Sequence, residues 1–168
     1  MKSMIYIIIS GIVGFVIGFV LRCHIEANKF ILASWENSPI VIVCEDSQIT
    51  PYRIAKAIEW WGIRGHEIEY YHFDNSGVLC GKGFFVNGFI FIRATGDIDP
   101  SFYATTTRLA IAGEMKSASI HLPNKHKYMP RLLEHELGHA LGFTHIEKLG
   151  HMMNPIHENG GEKFWIPD

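Results

Sequence analysis

The segment His135-Glu136-Leu137-Gly138-His139-Ala140-Leu141-Gly142-Phe143-Thr144-His145 restricts this chain more than any other. Residues four apart on an α-helix lie one above the other, so His135 and His139 aim their imidazoles at a single point. Glu136 presents a carboxylate to the same neighbourhood. Gly142 falls where such a helix would end, because glycine tolerates the left-handed conformation that turns the chain back. His145 then becomes available as a third ligand. Three neutral imidazoles leave the fourth tetrahedral position of a zinc ion open for water, which is the catalytic rather than the structural arrangement. A carboxylate beside that water can take a proton from it at neutral pH, since zinc lowers the water's pKa from 15.7 toward about 7.

Shortly afterwards comes Met152-Met153-Asn154-Pro155. The whole pattern, H-E-x-x-H-x-x-G-x-x-H followed by a methionine turn, resembles the metzincin zinc peptidases, and most of all their matrixin-type branch. The resemblance implies that His135, His139 and His145 are ligands of one catalytic zinc ion, that Glu136 is the general base, and that Met153 sits in the turn beneath the ligands. It implies an α+β fold of the zincin kind: a mixed, mostly parallel five-stranded sheet, two main helices and a short C-terminal subdomain. A peptide or protein substrate would add to the edge strand, roughly Thr107 to Ala112, and Pro155-Ile156-His157 would wall the primed side. Two features depart from the family. The matrixin loop that binds structural calcium and a second zinc is not recognisable between Phe73 and Gly96, so those ions are not expected. Only fifteen residues follow Met153, so the usual C-terminal helix is expected to be short or absent.

The rest of the domain reads in order. Pro39-Ile40-Val41-Ile42-Val43-Cys44 is a β-branched run suited to a buried first strand. Thr50-Pro51 supplies an N-cap and a proline at the first helical position, and Ile54, Ala55, Ala57, Ile58, Trp61 and Ile63 recur at helical spacing as far as Gly62 to Gly65. Glu67 to Phe73 is a second strand, so strand, helix and strand imply a right-handed crossover and a parallel pair. Asp74 to Gly77 is a turn, Gly81 to Gly88 a loop, and Phe89 to Arg93 a third strand. Thr107 to Ala112 and Lys116 to Leu122 read as two more strands around Gly113-Glu114. A last helix begins near Pro130 and packs through Leu132, Leu133, Leu137, Ala140 and Leu141. His24, His66, His72, His121, His126 and His157 read as surface or hydrogen-bonded residues, and His151 as a neighbour of the methionine turn.

Residues 4 to 21 contain no charge and are bracketed by Lys2 and Arg22. At about 1.5 Å per residue they span roughly 27 Å, close to a hydrocarbon core of about 30 Å. A single-pass anchor over residues 1–22 is the favoured reading, with a cleaved secretory signal as the alternative, although Arg22-Cys23-His24-Ile25 offers no small-x-small cleavage site. Gly14 and Gly18 form a G-x-x-x-G through which two anchors can pair. Residues 23–38 read as a tether and 39–168 as the catalytic domain. A net charge of −2, from 15 basic and 17 acidic residues, provides no footprint for nucleic acid. Cys44 and Cys80 form either a bridge or two buried thiols. Charges flanking the anchor are balanced, and the resemblance tips the domain to the extracytoplasmic side. The expected function is that of a membrane-anchored or secreted zinc endopeptidase. The rival class is a zinc-stabilised module that captures peptides without cleaving them, against which Glu136 argues, since a purely structural site needs no base.

Overall fold

Ile40–Cys44 (β1) is buried along nearly its whole length, and its alternating side chains serve two different cores. Val41 and Val43 face a large cluster shared with both principal helices, whereas Ile42 and Cys44 meet Phe91 in a smaller one on the opposite face. That division follows from the period of two along a strand, and it explains why the run is apolar throughout rather than alternating. The computed structural model describes residues 30–69, 71–81, 86–94, 99 and 101–167. The apolar segment 4–21 and the Gly14/Gly18 pair lie outside these residues. No helix among the described residues is long and apolar enough to cross a membrane.

Around β1 stand Tyr71–Asp74 (β2), Phe89–Arg93 (β3), Thr105–Ile111 (β4) and Glu114–His121 (β5). The order across the five-stranded sheet is β2-β1-β3-β5-β4. All neighbours are parallel except β4 and β5, so β4 is an antiparallel edge strand. The mixed, mostly parallel sheet read from the sequence is therefore present. Strand limits differ in detail: β2 starts at Tyr71 rather than Glu67, because Ile68 is buried in an irregular approach whose Glu69 N–H bonds back to Pro39 O. β4 and β5 each begin two residues earlier than expected. Their link is a two-residue turn, Ala112-Gly113, with φ of 53° and 81°, the left-handed pair that matches the twist of a hairpin.

Pro51–Gly62 (α1) starts where the sequence placed it, with the Thr50 hydroxyl accepting from Arg53 N–H at 3.3 Å. Its buried stripe is Ile54, Ala57 and Trp61. Leu132–Ala140 (α3) lies against α1 and against β4 and β5. Trp61 Nε1–H donates to Glu134 O at 2.8 Å, and Arg53 makes two 2.6 Å bonds to the Glu134 carboxylate, so the two helices are pinned at both a ring and a charge. The four-residue helix Val78–Gly81 (α2) lies between the turn and the loop read from the sequence, in residues given no element there except Gly81, which was read as the start of the loop. Asp74 starts it, its carboxylate accepting from Cys80 N–H and from the Ser76 hydroxyl. This helix brings Cys80 to Cys44, and the two form a disulfide with Cα atoms 5.9 Å apart.

The stretch 23–38, read as a tether, is in part a piece of the domain. Ala33 is buried, Ile31 bridges to Phe143 and Ser34 to Glu114, and Trp35 Nε1–H donates to Ala140 O at 2.9 Å. Mixed polarity suggested a free linker, but its aromatic and small residues fill a groove over the end of α3 that no local pattern announces. After Met153, the described residues hold no α-helix, only a single 3-10 turn at His157–Asn159.

Candidate metal centre

Three imidazoles meet at the foot of the cleft. His135 and His139 stand one turn apart on α3, and their ring centroids are 4.7 Å apart. The helix stops after Ala140, and Gly142 takes φ of +108°. A side chain there is excluded twice, by that dihedral and by Ala33 O, which lies 1.9 Å from where a Cβ would sit. The reversed chain brings His145 Nε2 to 3.1 Å from His139 Nε2. One nitrogen from each of the three rings lies within 4.8 Å of the others.

The remaining ring atoms decide what this cluster can hold. His135 Nδ1 is 2.8 Å from Met152 O and His139 Nδ1 is 2.9 Å from Phe143 O. A carbonyl only accepts, so each Nδ1 carries the proton and each Nε2 presents a bare lone pair to the centre. Burial lowers the pKa of His135 to about 4 and that of His139 to about 3, and lowers that of His145 as well. All three rings are consequently neutral at pH 7, the form that binds metal. The 3.1 Å gap is close to the roughly 3.3 Å between two nitrogens on one tetrahedral zinc. Three imidazoles this close together, two of them with the proton held on Nδ1, suit a divalent transition ion such as zinc.

Glu136 points from the same helix toward β4 and is 5 % exposed. Its Oε2 accepts from the Thr106 hydroxyl at 2.5 Å. Burial raises its pKa to about 7, against the opposing pull of the Thr106 hydrogen bond and the Arg108 charge. Arg108, two residues along the same strand, donates through Nη1 to Phe143 O at 3.1 Å. Neither Thr106 nor Arg108 was singled out from the sequence. The one available signal was their separation of two, which puts both side chains on one face of a strand, but nothing local says what that face meets.

Beneath the three imidazoles, Met153 lies in a turn, as expected. Its Sδ lies 2.3 Å from where a Cβ on Gly138 would sit, so the small residue between His135 and His139 makes room for it. The turn is held in three ways: Met152 O bonds to His135, Met153 O accepts from Ile146 N–H, and Asn154 bridges Lys148 O and Ile156 N–H. His151 is fully buried, accepts at Nδ1 from Met153 N–H at 2.9 Å, and donates from Nε2 to Trp165 O at 2.8 Å. It fastens the turn to the C-terminal segment. His66, read as a surface or hydrogen-bonded residue, is half-buried between the rings of Trp61, Phe143 and Phe164.

The cleft above the cluster has a volume of about 740 Å³. Thr106 and Arg108 of β4 line it, together with Pro155, Ile156 and His157. Comparison with models of known protein families finds no match, and comparison with curated proteins finds no significant similarity.

Proposed function

We propose that this chain is a zinc-dependent endopeptidase of the metzincin kind, carried on a membrane anchor or secreted. The observation that carries the reading is the conjunction of three neutral imidazoles with converging Nε2 atoms and a buried carboxylate on the same helix, at the foot of an open cleft. Further support comes from Met153 against Gly138, from the turn at Gly142, and from a sheet whose antiparallel edge borders the cleft.

His135, His139 and His145 would hold the ion, which when bound supplies Lewis acidity toward a peptide carbonyl and lowers the pKa of water. The chain's own residues do the rest. An extended peptide pairs with the free edge of β4 through backbone hydrogen bonds, which holds its carbonyl over the cluster without demanding a particular sequence. Glu136 takes a proton from the attacking water and delivers it to the leaving amine. A carboxyl with a pKa raised by burial both accepts and releases a proton near neutral pH, which suits the two halves of that transfer. Cys44–Cys80 supports a location in an oxidising compartment, since such bridges persist outside the cytosol. That agrees with an N-terminus inside and the domain outside.

The test is hydrolysis of casein by the full chain in detergent with added zinc, beside E136Q. Cleavage by the parent, its loss on chelation, and retained zinc with lost cleavage in E136Q are expected. Equal rates for parent and E136Q would remove the base from the scheme. Intact peptides co-purifying with an inert parent would favour the binding module. For orientation, a C-terminal alkaline phosphatase fusion in a bacterial host is expected to be active. An inactive, well-expressed and membrane-associated fusion would put the domain in the cytosol.

A further inference from the structure

β4 contributes more to this centre than an edge for substrate. Thr106 and Arg108 stand on its cleft face, and each reaches a different part of the machinery across the gap to α3. The Thr106 hydroxyl has one proton to donate, and two oxygens of Glu136 within reach: Oε2 at 2.5 Å and the backbone O at 3.2 Å. The shorter contact takes the proton. A carboxylate has two oxygens, and tying down Oε2 leaves Oε1 as the one that exchanges protons. Glu136 is buried, and the Thr106 bond and the Arg108 charge both act on its carboxylate; of the two, the hydrogen bond is the directional one that holds its rotamer.

Arg108 acts one step further from the imidazole cluster. Phe143 O accepts from both Arg108 Nη1, at 3.1 Å, and His139 Nδ1, at 2.9 Å. That carbonyl lies on the tight turn immediately after Gly142, and the guanidinium fixes where it points. The orientation of the His139 ring follows from it, because the partner of a ligand's far nitrogen sets the ring's angle.

Resting on the peptidase reading above, we propose that Thr106 and Arg108 are positioning residues, Thr106 for the Glu136 carboxylate and Arg108 for the His139 ring by way of the Phe143 carbonyl. The strand that a peptide joins is then the strand that holds both the base and a ligand. Substrate and machinery share one rigid reference, and a shift of β4 moves them together.

The experiment compares the full chain in detergent with T106V, T106S, R108M, R108K and E136Q, reading kcat and KM on a quenched fluorescent peptide and zinc affinity by competition with a chromophoric chelator. T106V keeps the side-chain shape and removes the hydroxyl; it is expected to lower kcat about 10- to 100-fold, with KM and zinc affinity within about twofold of the parent. T106S returns the hydroxyl and is expected to recover most of kcat. R108M is expected to weaken zinc binding about 10-fold and R108K by less, since lysine offers a point donor instead of a planar fork. Parent-like kcat in T106V, or T106S as poor as T106V, would overturn the role of Thr106. Unchanged zinc affinity in R108M would overturn that of Arg108. Should the parent prove as inert as E136Q, the peptidase reading and the Thr106 role fall together, while the zinc affinities of R108M and R108K still decide the role of Arg108.

Discussion

Gly138 has no side chain because Met153 and Trp61 already occupy the space, with Met153 Sδ 2.3 Å and Trp61 Cζ2 2.6 Å from a Cβ position. Trp61 is fully buried and hydrogen-bonded to Glu134 O, so the ring cannot move aside easily. G138A is expected to destabilise the fold by about 1–3 kcal/mol through overpacking, seen as a lower urea midpoint, and to weaken zinc binding as α3 shifts. An unchanged midpoint would mean that Met153 yields freely. Titration acts on the same few residues. In the metal-free protein His135 and His139 have folded pKa values of about 4 and about 3, below their usual 6.5, so between those limits the unfolded chain binds protons that the folded one refuses. Each such group makes stability fall on acidification, by at most about 1.4 kcal/mol per pH unit. Glu136 acts oppositely: raised from 4.5 to about 7, it is protonated when folded and ionised when unfolded, so it makes stability rise as pH falls through that window. Two histidines outweigh one glutamate. Metal-free protein is expected to lose stability from pH 6.5 to 4.5, and E136Q, lacking the opposing group, to lose it more steeply. Chemical denaturation at several pH values checks both slopes.

At the scale of elements, α1 and α3 are joined by the Arg53–Glu134 pair, whose side chains are only 15 % and 12 % exposed. Removing one partner strands the other in a poorly solvated place, whereas removing both does not. R53A or E134A alone is expected to cost about 1–3 kcal/mol, discounted for the remaining solvent contact, and the double variant less than the sum of the two. Additivity in denaturant melts would show that the pair contributes nothing of its own. α1 was readable because its signals are local: a Thr50 cap, Pro51, and apolar residues at intervals of three and four. α2 was not. Four residues are too few for a periodicity, and what starts the helix is the Asp74 carboxylate reaching forward to Cys80 N–H.

Across the whole molecule, two ties join distant parts of the chain. Cys44–Cys80 closes a separation of 36 residues and fastens α2 to the face of the sheet away from the three-histidine cluster. Replacing both with alanine is expected to lower unfolding free energy by about 2–4 kcal/mol, mainly by releasing the unfolded chain, with zinc affinity unchanged. A stability equal to the parent's would show that the bridge is dispensable. The second tie is the segment that includes Ala33 and Trp35. A chain beginning at residue 39 is expected to melt lower than one beginning at residue 30 and to bind zinc less tightly, because Leu32 N–H bonds to Gly142 O and Ala33 lies on the turn that delivers His145. Equal zinc affinity in the two forms would show that the turn holds itself.

What the sequence determined by itself was everything encoded at short range. The spacing of His135, His139 and His145 around Gly142, the strand and helix periodicities, and the capping residues each depend on neighbours within about a turn or two, where backbone geometry leaves few choices. Tertiary structure decided the rest. Thr106 lies 30 residues from Glu136, and Trp35 lies 105 from Ala140. Whether Cys44 and Cys80 were a bridge or two thiols depended on α2, and whether residues 30–35 were tether or domain depended on a groove made by the end of α3. Such contacts arise only when packed surfaces bring non-neighbours together, and no local pattern of residue types records which surface that will be.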